Sequence, residues 1–318
     1  MLAVLVAGSL ALVVGCGDGA SPSGSSSAGP TTAPTPSTTV APASTAAPPS
    51  VLPTSTTQAP GTSGPVTTVP ATTVPATTSS VPTPASTVLV YFLRDELLHV
   101  AARRVVAATP ETALRALLDG PSAAERAAGD VTVIPAGTRV LGVDLDGREA
   151  VVDLTAEFAE GGGSLSLVAR VTQVVFTVTQ FPGVEVVRFR LDGEPVVDLG
   201  GEGLFVDGLT RDRYDWVVPR VLLERPAPGA FVDRTIRLVA WASAAGAELR
   251  VEVLDASGAR LLDRTLPAPA APGEWGAVDT LLPELPVGAG GRLTVRVSDP
   301  LADPIDLRSR PAEVVVTH

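Results

Sequence analysis

Four carboxylates, Asp144, Asp146, Asp153 and Glu157, lie close together in the middle of the chain. Two carboxyls at the right separation can serve as acid and nucleophile, or acid and base, in glycosidic hydrolysis. Asp144 and Asp146 share one strand face, and the other separations are not readable from spacing. The same stretch, Asp144-Leu145-Asp146-Gly147, opens like a calcium loop. It lacks the third acidic position and the closing Glu, so it reads as a β-hairpin turn. GGGSLS at 161–166 precedes a helical pattern as a phosphate-binding loop does. It has no GxxxxGK[ST] frame and the chain has no Lys, so it reads as a flexible loop leading into a helix. The two histidines, His99 and His318, supply neither a zinc cluster nor a Ser-His-Asp arrangement. No catalytic residue, metal ligand or cofactor site is expected. The remaining reactive side chain is the single cysteine, Cys16, which cannot close a disulfide within the chain.

Cys16 ends an apolar run, residues 1–15, that is shorter than a membrane-spanning helix and has small Gly15 just before the thiol. Val13-Val14-Gly15-Cys16 resembles the lipobox of bacterial lipoproteins. That resemblance implies a signal segment removed before Cys16 and a diacylglycerol on its sulfur. Two or more acyl chains hold a protein on a membrane stably where one is marginal. No Lys or Arg precedes the apolar run, which points to a start codon further upstream.

Residues 17–87 are almost wholly Pro, Thr, Ser, Ala, Gly and Val, with quasi-repeats such as TTVPATTVPATT and a single charge at Asp18. Such a composition has too little apolar and aromatic surface to offset the entropy of ordering. It predicts a disordered, partly polyproline-II tether. All other charge, all aromatics and both histidines fall in residues 88–318. The net charge of −11 argues against nucleic acid and against direct attraction to anionic lipid.

The elements that position the acidic stretch begin at residue 87. TVLVYFL and LLHVAARRVV, on either side of Arg94-Asp95-Glu96, predict a hairpin. TPETALRALLDGP places Thr109 as N-cap and Pro110 at the first helical position, with Ala113, Leu114, Leu117 and Leu118 on one face and Gly120-Pro121 as the stop. Residues 138–154 predict two strands around Asp146-Gly147, with Val140, Val143 and Leu145 facing Val151, Val152 and Leu154. SLSLVARVTQVVFTVTQFPG has the Val and Thr content of a strand and the apolar spacing of a helix. Its length decides for a buried helix over 164–180. VEVVRFRLDG adds a further strand and a turn at Asp192-Gly193. The order β-β-α-β-β-α-β predicts a two-layer α+β domain with helices on one face of a sheet.

VYFL, LLDGP, VTVIPAGTRVLGVDLDGREAVVDLTAEF and VVFTVTQFPGVEVVRFRLDG, in this order, resemble the GerMN module of spore-germination and sporulation lipoproteins. The resemblance covers nearly all of residues 88–214. It implies a non-enzymatic α+β scaffold similar to ring-building modules, without catalytic residues to carry over.

Residues 215–318 alternate short apolar-patterned strands with turns, among them TIRLVAWAS, ELRVEVLDASG and GRLTVRVSDP. Six or seven strands in this span predict an all-β immunoglobulin-like sandwich with Ile236, Leu238 and Ala240 inward. ERPAPGAFV and the DASG turn resemble the immunoglobulin-like module that follows GerMN in such lipoproteins. The whole is therefore expected to comprise a signal segment (1–15), lipidated Cys16 and linker (16–87), a GerMN-like domain (88–214) and a sandwich (215–318). The expected protein sits on the extracytoplasmic face of the cell membrane by its lipid anchor and binds no nucleic acid. Its expected partners are envelope proteins or further copies of itself, which makes it a scaffold. Peptidoglycan is the alternative partner, and hydrolysis of wall polymer the least supported activity.

Overall fold

The computed structural model describes residues 86–201, 203–286 and 291–318. Cys16 and all but the last two residues of the tether expected over 17–87 lie outside these residues; Ser86 and Thr87 belong to the first strand instead. The first elements are a hairpin of β1 (Ser86–Arg94) and β2 (Leu97–Val105), closed by Asp95 and Glu96, both at positive φ. Then come α1 (Pro110–Leu118) and the short α2 (Ala123–Ala127). Thr109 caps α1 by accepting from the Thr112 N–H at 3.2 Å, as its type and place require. Ser122 and Glu125 cap α2 reciprocally.

A four-stranded sheet follows, ordered β3-β4-β5-β6, from β3 (Val140–Asp146), β4 (Glu149–Leu154), β5 (Val186–Leu191) and β6 (Glu194–Val196). β4 and β5 are parallel, and α3 (Ser164–Val178) makes the crossover between them. The helix over 164–180 is thus found. Every residue from Leu167 to Val178 is buried, which explains why the apolar pattern overran a single face. Val140 pairs with Leu154 and Val143 with Val152 on the inner face as expected. Val151 instead pairs with Asp144 on the outer face, and Leu145 stands opposite Ala150.

The strands do not form one sheet. β1 and β2 stand apart, because the free edge of β1 is met by something other than a strand. Gln180 pairs with the backbone of Leu89, Gln173 donates to the Tyr91 carbonyl at 2.7 Å, and Leu93 bridges to Val131. The module closes with the small β7 (Asp198–Leu199) and β8 (Leu204–Phe205) pair. It is an α+β domain, as its sequence order predicts.

The second module is an antiparallel sandwich of two sheets. One is β13-β10-β9, from β9 (Val221–Arg225), β10 (Arg237–Ala242) and β13 (Gly276–Leu281). The other is β12-β11-β14-β15, from β11 (Glu248–Leu254), β12 (Arg260–Pro267), β14 (Arg292–Ser298) and β15 (Ala312–Thr317). Ile236, Leu238 and Ala240 are buried, and their cluster joins Val251, Val295 and Val314 of the facing sheet.

β9 is a wall common to both cores. Val221 and Leu223 pack into the sandwich, while Leu222 joins the core of the first module beside Leu98 and Val100 of β2. Two-sided burial makes its sequence an unbroken apolar run followed by Glu224, which is itself buried.

Candidate functional site

The four carboxylates do not converge. Asp144 lies on the outer face of the sheet and meets Arg190 at 3.2 Å. Asp153 accepts from the Gly193 N–H at 3.0 Å and so braces the next turn. Asp146 flanks the β3–β4 turn. Glu157 belongs to a separate 3-10 turn over Ala156–Ala159, where hydrogen bonding from Thr155 lowers its pKa. Arg188 joins Glu149 and Asp207 on the same outer face. These are alternating ion pairs on a solvated surface, not an acid-base pair across a cleft.

The Gly-rich loop is held rather than loose, which corrects its reading as flexible. Arg170 of α3 is only 2% exposed, and its guanidinium donates to the carbonyls of Phe158, Glu160 and Gly161 at 2.7–2.9 Å. It also contacts Ser166 at 3.1 Å. Burial pushes the Arg170 pKa down. Its two terminal nitrogens are turned to backbone carbonyls and Ser166 while Nε is buried without a partner, so this cation shapes the loop.

His99 approaches buried Asp130, its Nδ1 3.0 Å from Oδ1 but off the line of a hydrogen bond. Arg94 grips the same carboxylate with two bonds of 2.9 Å. Burial pushes the His99 pKa down while Asp130 pulls it up. His99 lines a cleft of about 310 Å³ together with Leu98, Val100, Leu222, Pro228 and Val314. Arg310 and Asp95, 3.0 Å apart, join its two walls. Its lining is largely apolar, without a nucleophile. Among the described residues no three His, Cys, Asp or Glu side chains gather to hold a metal ion.

The densest buried chemistry is the seam between the modules. The Tyr91 hydroxyl donates to Glu224 at 2.6 Å, and Arg211 meets the same carboxylate at 2.7 Å. Arg211 also donates to Thr179 at 2.8 Å and lies 4.7 Å from the Phe176 ring centroid and 5.8 Å from that of Trp241. Trp241 stacks on Trp275, which donates to Asp215 at 3.0 Å. Burial and then the Glu224 charge raise the Tyr91 pKa well above its ordinary value. The triad satisfies itself and leaves no group directed at a ligand, so it is a clasp. Its members, Tyr91, Arg211 and Glu224, come from β1, the segment between β8 and β9, and β9, a separation that leaves no local motif. The one signal available in sequence was a Glu inside an apolar strand pattern, VLLER.

The polar chemistry of this α+β module is spent on its own framework. Residues 89–197 match the family model described as Germane, sporulation and spore germination, in agreement with the GerMN resemblance of their motifs. The chain is also similar to solved structures. One is a protein from Clostridium perfringens described as a candidate lipoprotein, at 20% identity, over 41% of this chain and 89% of that one, with a TM-score of 0.30. The tandem GerMN domains of the sporulation protein GerM from Bacillus subtilis share 17% identity over 58% of this chain and 60% of theirs, with a TM-score of 0.35. The first GerMN domain of the same protein shares 22% identity over 40% and 96%, with a TM-score of 0.30. No curated protein matches the chain. The immunoglobulin-like character of the sandwich stays an expectation.

Proposed function

We propose that this is a cell-envelope protein that works by contact, as a scaffold or interaction module, held to the membrane by lipid on Cys16. The observation that carries the reading is the commitment of the chemistry-bearing side chains to the fold. Asp153, Arg170, Arg211, Glu224 and Asp130 each bond framework partners, in a chain whose residues 89–197 match a sporulation and germination domain. Anchor and tether would set the two modules away from the bilayer, where a partner is reached by association.

The test has two parts. Mass spectrometry of the mature N-terminus should find diacylglycerol on Cys16, and Cys16→Ala should release the protein from membranes. Crosslinking in intact cells should capture discrete protein adducts. Recovery of glycan fragments alone, under conditions that capture other envelope complexes, would replace the scaffold with a wall-glycan binder.

A further inference from the structure

Sheet edges expose unpaired backbone groups, and most of the edges here are blunted. The free edge of β1 is met by Gln173, Gln180 and Val131. β6 contains Pro195. β12 carries Arg260, Asp263 and Arg264 and ends at Pro267. β13 carries Asp279, ion-paired with Arg237 at 2.6 Å. β15 is partly covered by the segment before β10, with Gly229 donating to Val315 and Thr317 to Ala230.

β3 is different. It has no Pro, Lys or Arg, and two of its apolar side chains are open, Leu141 at 50% and Leu145 at 56% exposure. The two-residue turn Gly147-Arg148 makes Asp146 and Glu149 a hydrogen-bonded pair, and such pairs alternate along the ladder. On the other side of β4, the Leu154 carbonyl accepts from Asp192, which fixes the same alternation. Val143 and Leu145 therefore turn their N–H and C=O away from β4. Among the described residues no backbone or side-chain group meets them.

We propose that β3 pairs antiparallel with β3 of a second copy of this chain, so that the four-stranded sheets of two copies become continuous. This rests on the contact reading above and gives it a surface and a partner. Charge selects the register. Centring the pair on Asp144 would oppose two like charges directly, which is destabilising. Centring it on Val143 places Val143 against Val143 and Asp144 against Gly142, and brings Leu145 to Leu141, the extra residue at the irregularity in β3. The open apolar positions then cover one another, and Asp144 keeps Arg190 as its ion partner. The interface is isologous and closed, so it ends at a dimer.

The experiment uses the purified full chain carrying Cys16→Ser, followed by sedimentation equilibrium from micromolar to near-millimolar concentration. A concentration-dependent dimer is expected. Leu145→Arg puts a charge on the covered face, and Val143→Pro removes an outward N–H without touching the β4 ladder. Each should weaken dimerisation about tenfold or more with Tm close to that of the parent. A short bismaleimide should crosslink Val143→Cys within the dimer. A chain that stays monomeric throughout overturns the proposal, as does a dimer that neither substitution weakens while Tm is retained. In either case protein adducts captured in cells would leave the contact reading standing, whereas their absence would count against that reading separately.

Discussion

Gln180 completes the edge of β1. Its Oε1 accepts from the Leu89 N–H and its Nε2 donates to the Leu89 carbonyl, both at 2.7 Å. A side-chain amide thus does for one residue what a neighbouring strand would do. Because it projects from just beyond α3, it also fixes the helix to the hairpin. Gln180→Ala leaves both groups of Leu89 without that partner. We expect a loss of about 2 kcal/mol in urea unfolding. A loss below about 0.5 kcal/mol, within the range of an ordinary surface substitution, would mean the edge is satisfied without Gln180.

The seam between the modules should respond in proportion to the charge stranded. Glu224→Ala leaves Arg211 buried without its carboxylate and should cost about 3 kcal/mol. Tyr91→Phe removes one bond and should cost about 1 kcal/mol. Equal effects would show that Arg211 finds another counter-charge.

The same phenol predicts alkaline behaviour. Its folded pKa is raised above an ordinary value of 10.0, so the neutral form is the one the native state holds. Its contribution to stability is complete below about pH 10 and is lost as pH climbs beyond, because the unfolded phenol ionises first. Absorbance should show one tyrosine that ionises only on unfolding. In Tyr91→Phe the decline in stability above pH 10 should be shallower, and an unchanged slope would assign it to other groups.

What could be read in advance follows the range of each interaction. Thr109, Pro110 and Gly120 announce α1 because capping and chain reversal are settled within a few residues. The length of the SLSLVARV segment settled α3 against its own β-branched content. The division of the strands into separate sheets was not legible, since it depends on Gln173 and Gln180 meeting β1 across more than eighty residues. The apolar character of Val151 predicts an inward position, yet its ladder partner is Asp144 on the outer face. The clasp was invisible for the same reason, Tyr91 and Glu224 being 133 positions apart. α2 does carry a local sign in the sequence, the Ser122-x-x-Glu125 spacing of a capping box.

Glu125 also sets an acid limit. Hydrogen bonds from Arg103 at 2.6 and 2.7 Å hold its carboxyl at about 2, against an ordinary 4.5. A depressed folded pKa means stability that is present above about pH 4.5 and lost as pH falls toward 2. Glu125→Gln should therefore lower stability at neutral pH and flatten its dependence between those limits. Parallel curves for the parent and Glu125→Gln would show that other carboxylates control the acid transition.

The loop shaped by Arg170 allows a sharper test, because two adjacent glycines differ in one respect. Gly161 and Gly162 both have positive φ, 60° and 78°. A Cβ on Gly161 meets nothing within 4 Å, whereas one on Gly162 would lie 2.6 Å from Ser166 Oγ and 2.9 Å from an Arg170 guanidinium nitrogen. Gly161→Ala should cost only the left-handed backbone penalty, about 1–2 kcal/mol. Gly162→Ala should cost that and about 1 kcal/mol more, because the obstructing groups are held in place by their own bonds. If Arg170 is the obstacle, the two changes are coupled. Arg170→Met destabilises by stranding the Phe158, Glu160 and Gly161 carbonyls. Adding Gly162→Ala to it should then cost less than in the parent, by about 0.5 kcal/mol or more in a double-mutant cycle. Strict additivity would place the obstruction at Ser166 alone and remove Arg170 from control of the loop.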